Sequence, residues 1–116
     1  MKAQHSLTVR IILMITLVIG AFSANFAADG NAATPAEVKI DNFSFLPAVI
    51  TVPVGTTVRW TNRDDIPHTV VSDDHTTFKS KPLDTDEQFT YTFTKPGTYS
   101  YFCSIHPKMT GKVVMQ

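Results

Sequence analysis

Cys103, His106 and Met109 stand at a C-x-x-H-x-x-M spacing within Tyr101-Phe102-Cys103-Ser104-Ile105-His106-Pro107-Lys108-Met109, close to the end of the 116-residue chain. Another imidazole, His68, lies far upstream in Ile66-Pro67-His68-Thr69-Val70. A thiolate, two imidazoles and a thioether are donors that suit copper as it moves between Cu(I) and Cu(II). Structural zinc sites look different: pairs of strong ligands recur there, and Met is a poor zinc donor. Taken singly, Cys103 would be a small buried apolar residue, His68 a capping or surface histidine, and Met109 a core side chain. The combination at this spacing is what points to a metal. His75, beside Asp73 and Asp74, reads as a solvated loop residue.

A short loop can curl Cys103, His106 and Met109 toward one point, but His68 has to be delivered by the fold. The elements that would deliver it are strands. Val38 and Ile40 alternate with Lys39 and Asp41, a half-buried pattern of period two. Phe43 and Phe45 follow, then Pro47. Val49 to Val52 reads as a strand stopped by Pro53 and turned at Gly55. Thr57 to Thr61 reads as another, with Val58 and Trp60 on the face opposite Arg59. Asn62-Arg63-Asp64-Asp65 is a polar turn, and Val70-Val71 opens a short strand. Ser72 to Lys81 is polar without a period and reads as a surface excursion. Phe89, Tyr91 and Phe93 alternate with threonines, Lys95-Pro96-Gly97 turns the chain, Thr98 to Cys103 runs back, and Lys112 to Met115 closes it. Seven or eight short strands with no helical period predict an all-β antiparallel sandwich or barrel.

The first residues belong to a different kind of segment. Lys2 and Arg10 flank a positive start, and Ile11 to Phe22 is a run of apolar and small residues. That run is too short for the roughly 20 residues of a membrane span and fits the core of a secretory signal. Ala21 to Ala28 supplies small residues for cleavage. We therefore expect a signal peptide over residues 1–28, which contains His5, a linker over 29–36 and one domain over 37–116. Export places the mature protein in the periplasm, with no stable membrane insertion after cleavage. Loss of Lys2 and Arg10 leaves eight basic and ten acidic residues, which gives no case for nucleic-acid binding. Small exported domains often add disulfides, but a single Cys cannot pair within the chain, so metal ligation is the leading explanation of Cys103.

Gly97 to Cys103 looks superficially like the F strand of an immunoglobulin domain, with a Tyr two residues before the Cys and Trp60 as the strand-C tryptophan. That domain needs a partner Cys upstream of the Trp, and none exists here. The better resemblance is to the cupredoxins, type 1 blue copper proteins. It is closest to the amicyanins of the plastocyanin/azurin group and runs from about Val38 to Gln116. It rests on Val54-Gly55-Thr56-Thr57-Val58-Arg59-Trp60, Pro67-His68, the stretch from Lys95 to Cys103, Gly111-Lys112-Val113-Val114, and the short C-x-x-H-x-x-M loop.

The resemblance implies a Greek-key β-sandwich or barrel of about seven to eight strands holding one copper ion, Cu2+ or Cu+. His68, Cys103 and His106 would be the strong equatorial ligands and Met109 the long axial one. It implies a monomeric carrier of single electrons rather than an enzyme, since no general base or open substrate position is visible. Its partners would be redox proteins of the kind of an amine dehydrogenase and a c-type cytochrome, with donor and acceptor not fixed. The alternative is a copper-binding and delivery protein in metal homeostasis or oxidase assembly. His106, beside Pro107, Pro67 and Ile66, would be the electron exit. Thr69 stands where relatives often carry Asn, and its N–H is expected to reach the Cys103 sulfur. Amicyanins commonly have Pro two residues after the Cys. Ile105 keeps an N–H there, so a second N–H···S bond is expected from it.

Overall fold

The computed structural model describes residues 34–116. The signal segment expected at residues 1–28 and most of the expected linker lie outside the described residues. The chain forms β1 (Ala36–Asp41), β2 (Ser44–Leu46), β3 (Val49–Val52), β4 (Thr57–Asn62), β5 (Val71–Ser72), β6 (Gln88–Thr92), β7 (Gly97–Phe102) and β8 (Thr110–Met115). No helix occurs among the described residues. Two four-stranded sheets result, in the orders β2-β1-β4-β6 and β3-β8-β7-β5.

The two-layer all-β architecture follows the alternating pattern, but the pairing is not antiparallel throughout. β1 lies parallel to β4, with Val38 opposite Trp60, and β3 lies parallel to β8, with Ile50 opposite Val113. The chain leaves the first sheet after β2, enters the second at β3 and returns at β4. A connection that crosses between layers escapes the reversal a hairpin imposes. The Pro53-to-Thr56 turn makes one crossing. Gly55 takes φ 92 there, a conformation open to glycine, and Thr56 N–H donates to the Pro53 carbonyl at 3.2 Å.

Val38, Ile40, Val58 and Trp60 are fully buried between the layers, while Arg59 faces outward and pairs with Glu37. Trp60 stacks on Phe78 at 5.7 Å and meets Tyr101 edge-on at 5.4 Å. Truncating such a side chain typically costs about 3–5 kcal/mol. Phe78 corrects the sequence reading of Ser72 to Lys81, which is not wholly a surface excursion. Its ring is buried, and Ser80 beside it exchanges hydrogen bonds with Val70. One apolar residue in a polar run carries no period, so pattern alone does not reveal it.

β1 and β2 form a hairpin that the pattern also left unresolved. Its two turn residues are both left-handed, Asn42 at φ 49 and Phe43 at φ 55. Such a pair fits the tight turns that match strand twist. Asn adopts this conformation readily, whereas a bulky residue such as Phe costs about 1–2 kcal/mol. At the same end of the sandwich, β5 pairs with β7 (Val71 opposite Phe102) and β7 pairs with β8 (Phe102 opposite Thr110). The segment that carries His68 and the loop from Cys103 to Met109 are thereby brought together.

Candidate metal centre

The loop between β7 and β8 closes on itself. Cys103 N–H donates to the Met109 carbonyl at 3.1 Å, and Met109 N–H donates to the His106 carbonyl at 2.9 Å. Because β7 and β8 are paired neighbours, the loop has to return within a few residues, and this curl holds Cys103, His106 and Met109 in one turn. Cys103 is a free, fully buried thiol, and Met109 is buried beside the core.

His68 is fixed at both backbone and ring. Its N–H and carbonyl exchange hydrogen bonds with Leu83 across a β-bridge, at 3.1 and 2.7 Å. Its ring is fully buried, and Nε2 lies 2.7 Å from Asp64 Oδ2. Burial works against charge on Asp64, but the amides of Phe43 and Asn42, together with His68, outweigh it. They hold the carboxyl below its usual range. An ionised carboxylate only accepts, so Nε2 carries the proton and Nδ1 presents a lone pair. That Nδ1 lies 3.8 Å from Cys103 Sγ. Asn62 stiffens the approach: its amide donates to the carbonyls of Ile66 and Leu83, and its oxygen accepts the Asp64 N–H.

The sulfur is met from the His68 side. Thr69 N–H donates to Cys103 Sγ at 3.4 Å, as expected from sequence, and the Thr69 hydroxyl stands 3.7 Å from the same atom. The Ile105 expectation is corrected: among the described residues, Sγ accepts from no Ile105 N–H. The second donor is the Thr69 hydroxyl instead. Ile105 turns outward and is 45% exposed.

His106 is half-buried, its ring edge-on to His68 with centroids 5.1 Å apart. Among the described residues, no three His, Cys, Asp or Glu side chains close into a trio tight enough to hold a metal by themselves. His68 and Cys103 are thus brought together, and His106 joins them through its ring contact with His68. His106 opens onto a hollow of about 460 Å³ lined by Phe43, Ile105, Pro107, Lys108 and Met109. Pro67 and Ile66 are absent from that lining, and Phe43 takes their expected place. His75 stays at the surface against Phe102, and the Asp74 carboxylate beside it is engaged by Ser72, Thr76 and Thr77.

Sequence reasoning missed Asp64, Asn62 and Phe43. Asp64 and Asn62 looked like members of a polar turn; the available signal was an Asn-x-Asp pair just before Pro-His. Phe43 carried no signal, because its role depends on turn geometry.

This donor set fits a copper ion. A buried thiol receives two donors, an imidazole turns its lone pair toward that thiol, a second imidazole touches the first, and a buried thioether shares the loop. The match to known proteins agrees. The family model for a cupredoxin-like domain covers residues 10–115, and the chain belongs to that family. Within it, the chain is 34% identical over 122 residues to amicyanin-alpha of Methylorubrum extorquens, covering 90% of this chain and 98% of that protein. It is 33% identical over 104 residues to the chloroplastic plastocyanin of Tetradesmus obliquus, covering 73% and 70%. A purple cupredoxin from Nitrosopumilus maritimus superposes with a TM-score of 0.65 at 36% identity, over 70% of this chain and 99% of that one.

Proposed function

We propose that this protein is an exported type 1 copper carrier of single electrons, with His68, Cys103, His106 and Met109 as its ligands. The observation that carries the reading is the 3.8 Å approach of His68 Nδ1 to a buried thiol that also receives the Thr69 N–H. When bound, copper supplies a one-electron Cu(II)/Cu(I) couple. The chain does the rest. Asp64 holds the Nε2 proton of His68 and so fixes which nitrogen is free. Thr69 donates to the sulfur and favours its more electron-rich state. Burial of Cys103 and Met109 keeps water away from both sulfurs.

The half-buried His106 ring, set among Phe43, Ile105 and Pro107, gives electrons a short way out. A small apolar contact suits the brief docking of redox partners. Among the described residues, Lys108 is the one Lys, Arg, Asp or Glu lining that hollow, so partners with a mild negative rim would seat best. Residues 1–28 would direct export to the periplasm, leaving residues 37–116 as a monomeric domain that is not itself an enzyme. The donor and acceptor would be periplasmic redox proteins such as an amine dehydrogenase and a c-type cytochrome. No helix among the described residues is long and apolar enough to cross a membrane.

Titration with Cu(II) tests the assignment. One equivalent should bind and produce an intense visible sulfur-to-copper band, and Cys103→Ser should abolish the band. A protein that stays colourless overturns it. Fast reversible cycling with the metal retained supports the carrier. Ready release of copper to a chelating acceptor, with slow cycling, supports delivery instead.

A further inference from the structure

Asn42, Phe43 and Ser44 form the only Asn-x-Ser/Thr triplet in the chain; Asn25, Asn31 and Asn62 are followed two places on by Ala27, Ala33 and Asp64. In an exported protein that triplet is the acceptor sequence for an N-linked glycan, provided it lies on a surface loop. The fold supplies such a loop. Asp41 pairs with Ser44 across β1 and β2, which puts Asn42 and Phe43 at the apex of the hairpin. All three residues of the triplet are exposed.

The turn is held from the protein side by its backbone. Asp64 Oδ1 accepts the Asn42 N–H at 2.6 Å, and Oδ2 accepts the Phe43 N–H at 3.0 Å. The hydrogen bonds that hold Asn42 thus run through its backbone, while the residue itself stands at the surface. Its left-handed φ of 49 accounts for an Asn at this position. That conformation makes no demand on Ser44, whose hydroxyl donates to the Asn42 carbonyl at an exposed 3.3 Å, longer than the usual range for a hydroxyl donor. The acceptor sequence does require a hydroxyl there.

We propose that Asn42 is an N-glycosylation site, its substrate an oligosaccharide carried on a lipid phosphate at the outer side of the membrane. Transfer forms a bond from Asn42 Nδ2 to the anomeric carbon of the first sugar and breaks that carbon's bond to the phosphate oxygen. The lipid phosphate leaves with the electron pair, Nδ2 gives up one proton, and nothing is oxidised or reduced. The proposal rests on the export reading, because the donor lipid and its transferase meet chains that have crossed the membrane. Attached sugars would stand next to Phe43, on one rim of the hollow at His106.

Peptide mapping by mass spectrometry, on the full protein recovered from its own cells, tests the site. The peptide that contains Asn42 should be heavier by whole sugar residues, and Asn42→Gln should abolish the addition. Ser44→Ala keeps Asn42 and both turn amides, yet should cut occupancy to below about a tenth of wild type, whereas Ser44→Thr should preserve it. In a purified system, the full chain mixed with an oligosaccharyltransferase and its lipid-linked oligosaccharide should gain sugar at the same residue.

A bare Asn42 in protein that has lost residues 1–28 overturns the site and leaves export standing. Equal occupancy in wild type and Ser44→Ala overturns it as well, since the triplet would then not direct the transfer. A chain that keeps residues 1–28 and stays inside the cell overturns export instead. The purified system then decides the site, and an Asn42 that takes no sugar there overturns it.

Discussion

The Thr69 hydroxyl lies 2.7 Å from both the amide nitrogen and the hydroxyl oxygen of Ser104. The residue after one candidate ligand is thereby stitched to the residue after another. With Thr69 N–H on Cys103 Sγ, this stitch joins the His68 segment to the Cys103 loop through the chain's own groups. The Thr69 side chain supplies the link itself, since its hydroxyl reaches the Ser104 amide directly.

Thr69→Val keeps the shape and the backbone N–H but removes the hydroxyl. Ser104 is exposed enough for water to replace part of the loss, so the copper-free protein should lose about 1 kcal/mol in chemical denaturation. With copper bound, the sulfur loses a weak donor that favours the reduced state. The midpoint potential should drop by tens of millivolts, on a scale of about 59 mV per tenfold for one electron. Thr69→Ser, which retains the hydroxyl, should do neither. Equal potentials for wild type and the Val variant would show that the 3.7 Å hydroxyl contact does not tune the sulfur.

Asn62 offers a sharper test of how the fold delivers His68. It is fully buried and makes three hydrogen bonds, to Ile66, Leu83 and Asp64. Asn62→Ala leaves two carbonyls and one N–H without that partner, which should cost roughly 2–4 kcal/mol in unfolding free energy. Because Asp64 and Leu83 in turn hold His68, copper affinity should also fall, by about 10- to 100-fold. A competition titration against a chelator of known affinity reads the second effect. Full affinity in a destabilised variant would mean that His68 is positioned independently of Asn62.

These residues mark how far the sequence was legible. Val38, Ile40, Val58 and Trp60 announced their burial by alternation, and the C-x-x-H-x-x-M loop announced its chemistry by spacing, because both signals are local. The parallel joins of β1 with β4 and β3 with β8 were not legible, since they depend on crossings between layers. Phe78 was hidden in a polar run, and Ile105 was credited with an N–H···S bond where the Thr69 hydroxyl stands near the sulfur instead. Asp64 and Phe43 escaped for a related reason. Their partners lie about twenty residues away, and nothing in a polar turn or an exposed Phe indicates what it will face.

Gly111 illustrates the same limit at close range. It pairs with Tyr101 across β7 and β8, and a Cβ there would sit 2.4 Å from the tyrosine Cζ and hydroxyl oxygen. Tyr101 is buried under Phe45 and Trp60 and has no room to retreat. Gly111→Ala should therefore destabilise by roughly 1–3 kcal/mol through overpacking, lowering Tm by about 4–8 °C per kcal/mol for a domain of this size. Lys112→Ala, on the exposed face of the same strand, is the control and should move Tm little. Equal melting of the two variants would show that the tyrosine ring can shift.

Tyr101 also predicts how stability responds to alkali. Its hydroxyl and Trp60 Nε1 are both buried, and neither has a hydrogen-bond partner among the described residues. Burial pushes the phenol from 10 up to about 12, and the neighbouring Trp60 indole offsets only part of that shift. Between those values the folded protein keeps a proton that the unfolded chain has released, so raising the pH favours unfolding. The stability tied to this group is fully present below about pH 10, drains away as the pH climbs to about 12, and is on the order of a few kcal/mol at most. Tyr101→Phe removes both the titration and the unpartnered hydroxyl. Near neutrality it should be neutral or stabilising by about 1 kcal/mol, and at high pH the variant should outlast wild type by a widening margin. Urea midpoints at about pH 8 and about pH 11.5 make the comparison, because every other titrating group is common to both proteins. Parallel losses in the two would mean that the phenol of Tyr101 finds a way to ionise inside the fold.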